Sequence, residues 1–189
     1  VKFGLIRVYT IWTFQPCIYW DEKTQTGTYN WTILDANIEA IFNIGAEPLI
    51  CIGTNHPTSL PKGMIGDYNG TGFPNPDSFG KYCADIVYHY NVEKGYKIKY
   101  WEIWNEFPVE NVVNFVPFFN TVQEYMHNVD PSILIGNDRC NRPEVFEYFL
   151  DHIQGLDFAS FHRYLSYKTT QSHPPPEEDS VIIALSLIH

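Results

Sequence analysis

The chain has 189 residues, of which 44% are hydrophobic and 18% are charged, a composition that fits one globular domain with a sizeable core. Its formal net charge of −10 makes nucleic acid and anionic membranes poor partners. No apolar run reaches the roughly 20 residues that span a bilayer. The four cysteines, Cys17, Cys51, Cys83 and Cys140, are too widely spaced for a zinc or redox motif, so no metal or other cofactor is predicted.

Strand-like and helix-like segments alternate along the chain. Runs of β-branched and aromatic residues indicate strands, and apolar residues at helical spacing indicate helices. The predicted strands are 2–9, 48–53, 98–105, 133–136 and 156–161; the predicted helices are 31–44, 76–92, one through 115–126, 143–153 and 177–188. A long aromatic loop is predicted over 12–29. This alternation favours a parallel α/β sheet whose strands are neighbours in chain order.

Polar side chains follow the apolar strands. Asn105 and Glu106 stand just before Pro108, which cannot donate to a sheet ladder. His56 follows the strand 48–53, and His162 follows the strand 156–161. Because the carboxyl ends of parallel strands meet at one end of a sheet, we expect these side chains to converge there.

The strand that ends at Glu106 carries two further features. A side-chain period of two predicts that Glu102, Trp104 and Glu106 share one face. Arg7 is a charge inside another apolar strand, and a buried arginine needs a carboxylate partner. Glu102 and Glu106 are the predicted partners of Arg7 in this chain.

The stretch from Lys99 to Glu106, Lys-Tyr-Trp-Glu-Ile-Trp-Asn-Glu, resembles the fourth-strand signature of clan A glycoside hydrolases. Family 39, which contains β-xylosidases and α-L-iduronidases, is the closest fit. The stretch 158–164 resembles the sixth-strand pattern of the same family. The resemblance implies a partial (β/α)8 TIM barrel, strands two to six with intervening helices.

The resemblance also implies roles for single residues. Glu106 would be the general acid/base, and Asn105 the amide that contacts the sugar 2-hydroxyl. Arg7 would lie beside the catalytic glutamates, and His162 and Tyr164 would line the glycone pocket. His56 would either touch a sugar or cap a turn. The implied partner is a glycoside or oligosaccharide substrate, cleaved with retention of configuration.

A full barrel takes roughly 200–250 residues or more. The chain opens at what resembles the second strand, without a methionine, and it ends where a seventh strand would begin. We therefore expect residues 1–189 to be a fragment truncated at both ends, without the seventh-strand glutamate that serves the family as nucleophile. No nucleophile is assigned, and the fragment alone is expected to be inactive. Localisation and oligomeric state stay open.

Other classes of function remain. A doubly wound nucleotide-binding domain would carry a G-x-G-x-x-G turn after its first strand, and no such turn follows here. A non-catalytic carbohydrate-binding module or pseudoenzyme on the same barrel remains an alternative, because only one residue of the catalytic pair is present in the sequence. Other clan A activities, such as endoglucanase or mannanase, also remain open.

Overall fold

The structure, a computed structural model, describes residues 4–56, 59–138, 143–160 and 186–187. Its centre is a six-stranded sheet in which neighbouring strands follow one another in chain order, and a separate two-stranded hairpin, β2 (Cys17–Asp21) and β3 (Thr26–Tyr29), lies between the first two of them in the sequence. The strands of this sheet are β1 (Leu5–Tyr9), β4 (Glu47–Thr54), β5 (Tyr100–Asn105), β6 (Leu134–Asn137), β7 (Phe158–Ala159) and β8 (Ser186–Leu187). The first five run parallel as consecutive neighbours, which confirms the predicted architecture.

Helices connect the parallel strands. They are α1 (Thr32–Asn43), α2 (Pro76–Val87), α3 (Val112–Val129) and α4 (Pro143–His152). Asn75 caps α2, since its side chain accepts the backbone N–H groups of Asp77 and Ser78, and Pro76 occupies the first turn. A π-helical segment, Tyr88–Glu93, continues α2. These bounds agree with the helices predicted between 31 and 153.

Two predictions about local structure are wrong. The segment predicted as a loop over 12–29 contains a hairpin of β2 (Cys17–Asp21) and β3 (Thr26–Tyr29), which pair antiparallel. The end of the helix predicted over 177–188 instead pairs as a strand, because Ser186 and Leu187 lie antiparallel to β7. Residues 177–185 and 188 lie outside the described residues.

The apolar core lies between the sheet and helices α2 and α3. Phe79, Tyr82 and Ile86 of α2 and Phe115 and Phe119 of α3 are fully buried. Burying a large side chain stabilises a fold by about 1.5–3 kcal/mol, so this layer carries much of the stability. The polar side chains on the other face of β5 are therefore attached to a strand whose opposite face is packed against this buried layer.

No helix in the described ranges is long and apolar enough to cross a membrane. Within the same ranges, no group of three or more histidine, cysteine, aspartate or glutamate side chains could hold a metal ion.

Candidate active site

Arg7 is the centre of a buried polar cluster. Its Nη2 lies 2.5 Å from Oε2 of Glu102 and 3.0 Å from Oδ2 of Asp138. Its Nη1 donates to Oδ1 of Asn105 at 3.0 Å and to the hydroxyl of Tyr9. The Arg7 side chain is only 5% exposed, and both carboxylates are fully buried. The predicted pairing of Arg7 with Glu102 is present, and the guanidinium fork serves several acceptors at once.

Two buried carboxyl groups, those of Glu102 and Asp138, contact the single guanidinium group of Arg7. Burial raises the pKa of Glu102, and the charge of Asp138 acts in the same direction, whereas Arg7 and the Ser160 hydroxyl act against it. Ser160 donates to Oε1 of Glu102. Holding a second negative charge in a dry site is costly, so the fold satisfies each oxygen with a donor.

Arg7 itself keeps its proton. Burial opposes the charge, but the negative groups around the guanidinium outweigh burial and raise the pKa of Arg7. Cys51 lies 3.3 Å from Nη2 of Arg7, and burial raises the pKa of this thiol well above its ordinary value. Cys51 is therefore a neutral neighbour of Arg7, and the carboxyl groups that contact the guanidinium are those of Glu102 and Asp138.

Strand β5 leaves ordinary strand geometry at Trp104, whose φ is +66°. The indole packs edge-on against Phe79 of α2 and Phe118 of α3, at ring centroid distances of 5.6 and 5.7 Å. Gly53 on the adjacent strand also has a positive φ, +83°, and a Cβ there would lie 2.7 Å from Cε3 of Trp104. Both strands are distorted at the same level, and the large indole fits because residue 53 is glycine.

The distortion corrects the predicted alternation along β5. Trp104 faces the helices, whereas Asn105 bonds Arg7 on the side where Glu102 lies. The prediction that Glu102, Trp104 and Glu106 share one face is therefore wrong. A left-handed residue reverses the order of faces, so Asn105 takes the inner position that a regular strand would give to its neighbours.

Glu106 follows β5 directly and also has a positive φ, +48°. Its backbone N–H donates to both carboxylate oxygens of Asp138, at 3.0 and 3.2 Å. Its carbonyl oxygen accepts from Nδ2 of Asn55 at 3.3 Å. The peptide groups at Glu106 are thus tied to the ends of β4 and β6, at the carboxyl end of the sheet.

His56 lies on the same rim as Glu106. It is exposed and stands next to Asn55, and its ring meets the ring of Trp12 edge-on at 5.6 Å. Trp12 is 60% exposed. A cavity of about 390 Å³ lies beside this rim, with Asn55, His56, Lys62 and Trp104 among its lining residues. Exposed aromatic rings beside a polar cleft suit the stacking of a flat ligand face.

Four of the six predicted site residues can be placed. Arg7 and Asn105 are directly bonded, and Glu106 and His56 lie at the same end of the sheet. His162 and Tyr164 lie outside the described residues.

The sequence analysis did not assign four residues to this cluster: Asp138, Ser160, Tyr9 and Cys51. Asp138 carried a usable signal, because it is an acidic residue directly after an apolar strand. Ser160 occupies a similar position after β7.

Solved structures with a similar fold include glycoside hydrolases. A family 39 glycoside hydrolase from Bacteroides cellulosilyticus WH2 gives a TM-score of 0.61 at 22% identity, over 86% of this chain and 33% of that chain. A glucosidase from Croceicoccus marinus gives 0.59 at 16% identity, over 86% and 38%. An endo-1,4-β-mannanase from Rhizomucor miehei gives 0.55 at 17% identity, over 85% and 58%.

The chain thus spans less than two thirds of the length of each of these proteins. No protein-family model and no curated protein matches it. At these identities the likeness establishes the fold. The resemblance to clan A glycoside hydrolases is confirmed at that level, and the chain has the architecture of a partial α/β barrel of the kind found in these enzymes.

Proposed function

We propose that this chain is the acid/base-bearing part of a retaining glycoside hydrolase, with β-xylosidase-like specificity. Glu106 is the proton donor to the leaving oxygen, and Asn105 contacts the sugar 2-hydroxyl. The observation that carries the proposal is the placement of Asn105 and Glu106 at the carboxyl end of a barrel strand, tied to the buried cluster of Arg7.

The chemistry requires two carboxyl groups with different tasks. One protonates the leaving group, and in retaining enzymes the second, about 5–5.5 Å away, attacks the anomeric carbon. Among the described residues, the buried carboxylates Glu102 and Asp138 both bind Arg7. We therefore assign the nucleophile to neither of them.

The assay uses the full-length natural protein with aryl β-xylosides and β-glucosides. Glu106→Gln should lower hydrolysis of substrates with poor leaving groups by about 10²–10⁴-fold, the range of general acid catalysis. The matched control is Glu110→Gln, which removes an exposed carboxylate four residues along the chain. It should hydrolyse the same substrates at the unsubstituted rate. Equal rates for Glu106→Gln and the unsubstituted protein would remove Glu106 from the mechanism.

The proposal includes the behaviour of the 189-residue chain by itself. General acid catalysis alone accelerates a reaction by about 10²–10⁴-fold, far less than the roughly 10⁶–10¹⁷-fold acceleration by a complete enzyme. We expect that chain to hydrolyse aryl glycosides weakly or not at all. Robust turnover that disappears in Glu106→Gln would place the second carboxylate within these 189 residues.

A second candidate is carbohydrate binding without hydrolysis. Glu102 and Asp138 both bind Arg7, which favours this second candidate because the two buried carboxylates then have a structural role. Calorimetric binding of xylo-oligosaccharides by the full-length protein, without hydrolysis of any aryl glycoside, would support this candidate against the hydrolase.

A further inference from the structure

Asp138 joins two parts of the candidate site that are far apart in sequence. It directly follows β6, and it is 2% exposed. Oδ2 lies 3.0 Å from Nη2 of Arg7 in β1. Both oxygens also accept the backbone N–H of Glu106 after β5. One carboxylate therefore links the buried cation to the peptide group of the proposed acid/base.

Glu106 needs such a support. A residue other than glycine with φ near +48° lies in a sparsely populated region, at a cost of about 1–3 kcal/mol. The direction in which the Glu106 side chain leaves the backbone depends on this φ. A charged acceptor on the N–H stabilises the unusual conformation, since hydrogen bonds to charged groups are the strong ones.

The cluster fixes Asp138 in turn. Arg7 is held from its other sides by Glu102 and Asn105, so the Asp138 carboxylate meets a cation that cannot easily move. Acid catalysis requires the donor within about 2.6–3.2 Å of the leaving oxygen, and small displacements are costly. The Asp138 carboxylate at the end of β6 thus holds the backbone of Glu106, which directly follows β5, in a fixed position.

We propose that Asp138 is a positioning residue that aims the general acid Glu106 through its backbone N–H; the inference rests on the proposed function. In this role Asp138 acts through the backbone of Glu106 and contacts neither the substrate nor the reacting atoms. Its effect should therefore appear wherever proton donation limits the rate, and should be small where the leaving group departs without help.

The test is a leaving-group series on the full-length protein. Aryl β-xylosides from 2,4-dinitrophenyl to phenyl are compared for the unsubstituted protein, Asp138→Asn and Asp138→Ala. For Asp138→Asn we expect kcat/KM to fall by about 10-fold or more for phenyl xyloside and by less than about 3-fold for dinitrophenyl xyloside, within the range of acid catalysis. Asp138→Ala should show a larger loss on phenyl xyloside, because the asparagine variant keeps one acceptor oxygen.

Ser160→Ala is the matched control. It removes a donor to Glu102 in the same buried cluster, and Ser160 has no hydrogen bond to Glu106 among the described contacts. Its losses should be equal across the series. Equal losses for Asp138→Asn, or no loss, would overturn the positioning role while leaving the proposed function intact. Absence of Glu106-dependent hydrolysis in the unsubstituted protein would overturn both.

A second measurement applies if the Asp138 variants fail to fold. Hydrogen exchange of the Glu106 amide is followed by NMR in the unsubstituted protein. Protection of that amide at the level of neighbouring strand amides would support the bond to Asp138. Exchange at the rate of an open loop would overturn it.

Discussion

Nη2 of Arg7 and Oε2 of Glu102 lie 2.5 Å apart, on strands that the sequence separates by 95 residues. Both side chains are almost completely removed from solvent. Because β4 lies between β1 and β5 in the sheet, this ion pair bridges two strands that are not hydrogen-bonded neighbours. Side chains on β1 and β5 can meet across β4 only if the sheet curves, so this ion pair depends on the curvature of the sheet as well as on charge.

Replacing Arg7 by methionine should strongly destabilise the protein. Removal of one partner from a buried ion pair typically costs about 3–5 kcal/mol, since the other charge stays buried without compensation. Arg7→Lys should cost less, about 1–3 kcal/mol, because one ammonium keeps the charge but leaves some acceptors without a donor. Urea unfolding measures both. A loss below about 1 kcal/mol for the methionine variant would contradict the ion-pair account.

Gly53→Ala should be much more harmful than Gly45→Ala. Both glycines have a positive φ, +83° and +75°. A Cβ on Gly45 meets nothing within 4 Å, whereas one on Gly53 would lie 2.7 Å from Trp104 and 2.8 Å from Phe79. Overpacking typically adds about 1–3 kcal/mol to the backbone cost. Thermal unfolding of the two variants provides the comparison, and equal losses would show that Trp104 does not occupy the space above Gly53.

The acid sensitivity of the fold should depend on Asp35. Burial alone would raise the pKa of Asp35, but bonds from Lys94 and His89 outweigh it and lower the pKa below its usual range. Nζ of Lys94 lies 2.8 Å from Oδ2, and Nε2 of His89 lies 3.0 Å from Oδ1. A lowered pKa in the folded state gives stability that is present above the unfolded pKa of about 3.9 and is lost as pH falls through the folded value.

We therefore expect Asp35→Asn to lower the unfolding free energy at pH 7, by an amount that shrinks as the pH falls through the lowered pKa of the folded protein. The control is Asp151→Asn, an exposed carboxylate at the end of α4. Urea unfolding at several pH values from 2 to 7 gives the comparison. A difference between native protein and Asp35→Asn that does not shrink towards low pH would contradict the assigned bonds.

The order of the parallel strands could be predicted because apolar runs and helical periodicity are local signals. The hairpin of β2 and β3 could not, since Ile18 and Tyr19 are 55% and 49% exposed and give no clear alternation. The positive φ of Trp104 could not be predicted from the sequence either. A tryptophan with positive φ is disfavoured locally, and the packing of its ring against Phe79 and Phe118 overrides that preference.

For the candidate site, too, the contacts that depend on a local rule could be predicted, and those that depend on tertiary structure could not. The pairing of Arg7 with Glu102 follows from the rule that a buried charge needs a partner, which sequence can apply. The second partner, Asp138, depends on the curvature that brings the end of β6 towards β1. That curvature is a property of the assembled sheet, so no local pattern specifies it.

We have proposed Glu106 as the acid/base of a retaining glycosidase. The most direct measurement supplies sodium azide to Glu106→Gln of the full-length protein, with 2,4-dinitrophenyl β-xyloside as substrate. The leaving group departs without acid help, and hydrolysis of the glycosyl–enzyme intermediate should then stall for lack of a base. Azide needs no base, so it should attack the anomeric carbon, release the enzyme carboxylate and raise turnover. We predict β-xylosyl azide as the product, with Glu110→Gln giving xylose and no response to azide. Formation of α-xylosyl azide, or unchanged turnover in Glu106→Gln with and without azide, would contradict the acid/base role of Glu106.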